Sequence, residues 1–206
     1  MGLNHEVAKD LLSIKAVQIH PEPENYFTWT SGIKSPIYCD NRLTMSYPKV
    51  RERITQAFIQ KIKEWGVQPD VIAGCATAGI PHAAWLSKEL DLPMIYIRSE
   101  AKKHGKGNQI EGEVQKGKKV VVIEDLISTG GSSIDAAMAA KESGFEVIGV
   151  LAIFTYGLEK ANQNFADAKL DFDTITTFDH LLEILETENK FEQKDVQSLL
   201  TWRDSM

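Results

Sequence analysis

Lys119-Val120-Val121-Val122-Ile123-Glu124-Asp125-Leu126-Ile127-Ser128-Thr129-Gly130-Gly131-Ser132-Ser133 passes from a β-branched run through an acidic pair to a turn of hydroxyl residues and glycine. Lys119 to Ile123 reads as a buried strand, and the residues from Gly131 through Ala136, Met138 and Ala139 read as a helix. Between them, Gly130 and Gly131 let the backbone turn tightly, so that successive N–H groups and the hydroxyls around them converge on an anion. The helix that follows adds about +0.5 of positive end charge to the same spot. Glu124 and Asp125 would repel a phosphate unless they face another part of the ligand. A sugar diol fits, because carboxylates accept hydrogen bonds from two hydroxyls and stabilise positive charge at a neighbouring anomeric carbon. Adjacent strand residues point oppositely, so both acids reach one ligand only if the strand ends between them. The competing reading is a plain Asp/Ser-rich turn capping a helix.

Outward from this unit, short apolar runs at 71–74, 94–97, 146–153 and 174–177 alternate with helical segments near 79–90, 131–143 and 157–166, and two more helices fit within 179–204. The alternation predicts an α/β fold with a central parallel sheet flanked by helices. Sites in such sheets lie beyond the carboxyl ends of the strands. Upstream, Asn4 is placed to cap a helix carrying Val7, Leu11, Leu12 and Ile14 on one face. Tyr26 to Asp40 reads as two short strands turning at Ser31-Gly32, part of a small N-terminal hood around 20–42. Pro48 opens a helix whose stripe of Val50, Ile54, Phe58, Ile62 and Trp65 ends at Gly66. The 206 residues are expected to form one domain with that hood attached.

The totals narrow the function classes. A net charge of −6 argues against nucleic acid as a partner, since backbone binding needs clustered Lys and Arg. Cys39 and Cys75 stand alone, supporting neither a disulfide framework nor a zinc site and suggesting a reducing cytoplasm. The N-terminal residues lack the apolar core of a secretion signal, and the apolar run from Val147 to Leu158 is too short to span a bilayer, so no membrane association is expected. Gly112 to Lys119 nearly spells a Walker A loop, but Lys119 occupies the Ser/Thr position and the segment precedes its strand.

The connection from Arg98 to Lys119 holds seven Lys or Arg residues (98, 102, 103, 106, 116, 118, 119) against three acids (100, 111, 113), a local charge of about +4 in an acidic chain. Gly105, Gly107 and Gly112 suit it to act as a lid. A departing diphosphate needs cations and a proton, which Arg98, Lys102 and His104 could supply.

Val120 to Ser133 resembles the diphosphoribosyl-binding signature of the type I phosphoribosyltransferases. That resemblance implies the type I fold and the substrate 5-phosphoribosyl 1-diphosphate (PRPP). Glu124 and Asp125 would then meet the ribose hydroxyls, and Leu126, Ile127, Ser128, Thr129, Gly130, Gly131 and Ser132 would surround the rest of the phosphoribosyl group. Ile97 to Gly105 resembles the catalytic loop of the orotate phosphoribosyltransferases, which implies Lys102 as catalytic lysine, His104 as its partner and Arg98 as a diphosphate ligand. In that family the loop acts across a homodimer interface, here over residues 98–112. Phe27 to Asn41, Gly74 to Pro81 and Phe154 to Leu158 match the same family, and Ser128, Lys34 and Tyr38 fall at orotate-contacting places. Thr30, Thr77-Ala78 and Tyr156 stand where many relatives carry Lys, Tyr-Lys and Arg, a pattern resembling a mostly Gram-positive subgroup.

The reaction so implied is displacement of diphosphate from ribose C1 by orotate, giving orotidine 5′-phosphate in pyrimidine nucleotide synthesis. Asp125 would stabilise the oxocarbenium-like centre, with Mg²⁺ arriving on the substrate and no dedicated protein metal site. The rivals are a purine phosphoribosyltransferase and a non-catalytic PRPP sensor that binds RNA. His82 is expected to be a structural helix residue.

Overall fold

The computed structural model describes residues 2–28, 32–99 and 109–206. Helix α1 (Leu3–Ser13) is followed by strand β1 (Val17–Ile19), a 3₁₀ turn (Pro23–Asn25), β2 (Phe27–Thr28), β3 (Lys34–Ser35), β4 (Ile37–Cys39) and a second 3₁₀ turn (Asn41–Ser46). Then come α2 (Pro48–Glu64), β5 (Val71–Cys75), α3 (Gly79–Leu90), β6 (Met94–Ile97), β7 (Ile110–Glu111) and β8 (Lys119–Ile127). The chain continues with α4 (Gly131–Glu142), β9 (Glu146–Thr155), α5 (Glu159–Ala168), β10 (Phe172–Thr177), α6 (Phe178–Thr187) and α7 (Gln193–Asp204).

The main sheet has the order β10-β9-β8-β5-β6-β7, and every pairing is parallel except β6 with β7. From β5 the chain moves outward to β6 and β7, then returns to place β8 on the other side of β5 before building outward through β9 and β10. The crevice between the carboxyl ends of β5 and β8 is therefore the topological switch point, where sheets of this kind bind ligands. The sheet's central strands are buried on both faces, and alternation divides them cleanly. Val121, Ile123, Ile72 and Leu151 pack toward α1, α2, α3 and α6, while Val120, Val122, Ala73 and Val150 pack toward α4 and α5. Ala136, Ala137, Ala139 and Ala140 keep α4 close to its face, and Gly79 brings the first turn of α3 so near the Ile123 carbonyl that a Cβ would have no room.

Several expectations are corrected. Helix α1 starts one residue before Asn4: Gly2 takes the cap position and its carbonyl accepts the N–H groups of His5 and Glu6, which leaves Asn4 inside the first turn. Strand β8 runs to Ile127 instead of stopping at Ile123, because β9 itself extends to Thr155 and hydrogen-bonds along it. The sheet carries one antiparallel edge, β7, within the connection read as irregular, and two residues are too few to show an alternating pattern. Helix α5 begins at Glu159, since Gly157 has a positive φ of 70° and Leu158 is extended. The region expected to form the hood holds the antiparallel pair β2–β3, while β4 pairs with β1, a strand that sequence patterning missed.

Candidate active site

Strand β8 delivers both acids to the switch point. The chain does not end its strand between Glu124 and Asp125, and the two side chains accordingly find different company. Glu124, 8% exposed, receives the Cys75 thiol and, at 3.4 Å, the Ser133 hydroxyl, and its own Oε1 turns back to accept the Asp125 N–H at 3.0 Å. Asp125 looks toward the hood: Arg42, Asp40, Cys39 and Tyr156 lie within its electrostatic reach, and its carbonyl accepts from Asn41 Nδ2 at 2.6 Å. The carboxyls nevertheless meet: Glu124 turns back toward Asp125 and their side chains interact, so both can face one ligand although the strand does not end between them. Burial, and then the Asp125 charge, push Glu124 well above the usual carboxylate range; burial likewise raises Asp125. Two buried carboxyls in mutual reach disfavour ionising together, and a ligand that brings hydroxyls or a cation relieves that cost.

The turn after β8 has the form an anion needs. Gly130 adopts φ +83° at the N-cap of α4, and a side chain there would meet the Phe165 ring at 2.5 Å. The Thr129 carbonyl is held by Asn164 Nδ2 at 2.9 Å, while the Gly130 carbonyl accepts from Ile134. Gly131 and Ser132 are exposed, the first turn of α4 holds no acid, and the helix's leading N–H groups have no intrahelical partners. Ser128 is half-buried. Leu126 and Ile127 turn their side chains into the core, so only their main chain could serve a ligand.

A cavity of about 100 Å³ opens between β5, β6 and α4, lined by Cys75, Ala76, Arg98, Gln109, Glu124 and Ser132 among others. Arg98 sits at its mouth, its guanidinium 3.5 Å from Glu111 and its N–H donated to the Gln109 carbonyl at 2.9 Å. Lys102 and His104 lie outside the described residues. A larger groove of about 410 Å³ lies along α2, the turn leading to β5 and the end of α3, lined chiefly by Ile59, Ile62, Val67, Leu90 and Leu92, and gathers no carboxylate.

On the hood side, Lys34 donates from Nζ to Thr28 Oγ1 at 2.7 Å across the β2–β3 pair. The Phe27 ring stands 5.6 Å from that of Tyr38, which is within electrostatic reach of Tyr156. Burial raises the Tyr156 phenol so far that it stays a neutral hydroxyl. Tyr156 is thus within electrostatic reach of both Tyr38 and Asp125. His82 is structural, as expected: it is 1% exposed, and its Nε2 is 3.3 Å from Thr44 Oγ1. Because the Thr44 hydroxyl donates to the Asn41 carbonyl at 2.5 Å, His82 must donate from Nε2, which leaves Nδ1 a bare buried acceptor. Burial lowers its pKa to about 4. Asn41, Ser133 and Gln109 were not singled out from the sequence; Asn41 and Ser133 each close a stretch that was, but nothing in their spacing announced these contacts, and Cys75, read from the sequence only as a lone cysteine, was given no contact with Glu124.

Known proteins match this arrangement. The phosphoribosyl transferase domain family matches residues 46–181. An orotate phosphoribosyltransferase from Fusobacterium nucleatum is 57% identical over 204 residues, covering 99% of this chain and 97% of its own length, and one from Oceanobacillus iheyensis is 56% identical over 204 residues, covering 99% and 100%. The crystal structure of orotate phosphoribosyltransferase from Aeropyrum pernix superimposes with a TM-score of 0.77 at 28% identity, over 88% of this chain and 98% of that one. With the switch-point acids, the phosphate turn and full-length likeness in agreement, the chain belongs to the phosphoribosyl transferase family, in its orotate phosphoribosyltransferase branch.

Proposed function

We propose that this protein transfers the 5-phosphoribosyl group of PRPP to orotate, forming orotidine 5′-phosphate and diphosphate in pyrimidine biosynthesis. The observation that carries the reading is the pairing, on one strand–turn–helix unit, of buried carboxyls with an open helix N-terminus at the sheet's switch point. The 5′-phosphate takes the cup of Ser128, Thr129, Gly130, Gly131 and Ser132, where backbone N–H groups and hydroxyls neutralise it. The ribose diol meets Glu124 and Asp125. As the C1–oxygen bond to diphosphate lengthens, positive charge gathers at C1 and the Asp125 carboxylate stabilises it. A ring nitrogen of orotate then forms the new bond.

The cavity beside Arg98 suits the diphosphate, with Lys102 and His104 assigned to the leaving group. Lys34, Tyr38 and Ser128 are assigned to orotate, whose carboxylate a cation and hydroxyl donors would recognise. Among the described residues no cluster of three or more His, Cys, Asp or Glu could hold a metal ion by itself. The hard oxygens of Glu124 and Asp125 fit Mg²⁺ as part of a shell completed by the substrate's own oxygens. Such an ion would offset charge on the diphosphate. We place the active form as a homodimer in which the 98–112 segment serves the partner's site, and we place it in the cytoplasm. Among the described residues, no helix is long and apolar enough to cross a membrane.

The direct test is ultraviolet monitoring of orotate consumption with PRPP and Mg²⁺, run beside hypoxanthine, adenine and uracil. Orotate should be consumed and the other bases left. Consumption of a purine in its place would reassign the base subsite and leave the phosphoribosyl site standing.

A further inference from the structure

Helix α7 touches the molecule at two places that no catalytic argument has used. At its start it is fixed by a reciprocal capping box between Glu192 and Asp195, and along its length Leu199 is completely buried. Near its end two adjacent side chains reach in different directions. Trp202 donates its indole N–H to the Lys34 carbonyl at 3.2 Å, a contact 168 residues apart in sequence. Arg203 places Nη1 at 2.6 Å from each carboxylate oxygen of Asp179, with its guanidinium 15% exposed. The ion pair sits over Gly157: a Cβ at that glycine would lie 3.5 Å from Asp179 Oδ2 and 3.6 Å from Arg203 Nη1.

These two anchor points are the two sides of the proposed base subsite. Lys34 belongs to the β2–β3 pair, whose Phe27 ring leans on Tyr38, and Gly157 follows Tyr156 directly at the end of β9. Tyr38 and Tyr156 are in turn within electrostatic reach of one another. The β2–β3 pair has only two residues in each strand, too few to hold its own position in water. Buried Ser35 and Ile37 fix its β3 end, and α7 adds a second tie, bonded to the Lys34 carbonyl and ion-paired to Asp179 of α6 beside Gly157.

We propose that Trp202 and Arg203 are positioning residues for orotate: α7 ties the hairpin bearing Lys34 to α6 at Asp179, beside the turn after Tyr156, and so helps to set the width of the base subsite. None of the bonds shown for Trp202 or Arg203 goes to Glu124, Asp125 or the turn after β8, so the tie is expected to act on orotate more than on PRPP. The inference rests on the orotate reading given above, whose own test is turnover of orotate by the unaltered enzyme.

The experiment compares steady-state kinetics of the full-length wild type, Trp202→Phe and Asp179→Asn, with thermal midpoints as a check on folding. Trp202→Phe keeps an aromatic ring but removes the indole N–H donor together with the fused five-membered ring. Loss of one such hydrogen bond should raise KM for orotate about two- to tenfold. KM for PRPP and kcat should stay within about twofold, and Asp179→Asn, which loosens the other anchor, should give the same split. An unchanged KM for orotate in both folded variants overturns the proposal. So does a parallel change in both KM values and kcat, the signature of general loosening. If the wild type turns over PRPP with a different base, the orotate reading fails first, and that outcome is separable because it appears before any variant is made.

Discussion

In the function proposed above, the β8–α4 unit and the hood meet the same ligand by opposite means. Val120 to Ser133 is one continuous stretch whose strand end lies in the core between β5 and β9 and whose helix packs on β8 and β9, so its cup follows from local conformation: a strand, a glycine at positive φ, a helix N-terminus. The hood has no such self-sufficiency. Its strands are two or three residues long, and its place depends on bonds to distant residues: Asn41 Nδ2 to the Asp125 carbonyl, the Thr44 hydroxyl with His82, and the Trp202 indole N–H to the Lys34 carbonyl. Contiguous sites are robust and legible, whereas assembled ones depend on every remote partner.

The largest effect should come from the contiguous side. Asp125→Asn keeps the shape of the side chain and removes the charge proposed to face ribose C1. Loss of one such transition-state contact costs on the order of 10²–10³ in turnover. Steady-state kinetics should show kcat falling with little change in KM for orotate; a kcat within tenfold of wild type would remove Asp125 from its assigned role. Next comes Gly130→Ala. The φ of +83° and the 2.5 Å approach to Phe165 together strain any side chain at that position. The backbone strain costs on the order of 1–3 kcal/mol. The thermal midpoint should drop by several degrees, and KM for PRPP should rise as the cup opens. If PRPP affinity survives intact, the turn does not form the phosphate cup.

The same contrast explains what could be read from sequence. The parallel core was visible because Val120 to Ile123 and Val147 to Ile153 are apolar runs with helical periodicity between them. The phosphate turn was visible because Gly130 and Gly131 follow a strand and precede a helix. The end of β8 was misplaced because Glu124 and Asp125 look like a break in an apolar run, although β9 goes on pairing beside them. The β1–β4 pair was missed because its partners are separated in sequence and each is three residues long. The Asn41–Asp125 bond joins residues 84 apart, and the Trp202–Lys34 bond joins residues 168 apart; local periodicity carries no trace of either. His82 was read correctly as structural, since its neighbours Ala83 and Leu86 mark a buried helix face.

The smallest predicted effect separates the two regions by pH. Glu124 has its folded pKa raised above an ordinary 4.5 by burial and then by Asp125, so the folded protein binds more protons than the unfolded chain above that pH. Its contribution is therefore full below pH 4.5 and is lost as pH rises through the folded value. His82 has its folded pKa lowered from 6.5 to about 4 by burial, so the folded protein binds fewer protons between those values. Its contribution is full above 6.5 and is lost as pH falls toward 4. Between pH 4.5 and 6.5 the two slopes oppose each other. Glu124→Gln should leave the histidine slope exposed, with the thermal midpoint rising across that interval. His82→Gln should leave the carboxyl slope, with the midpoint falling. Each kcal/mol of difference moves the midpoint of a chain this size by about 2–4 °C. Thermal melts of the three proteins at half-unit pH steps would show it, and slopes of the same sign in both variants would mean that Glu124 and His82 do not titrate independently.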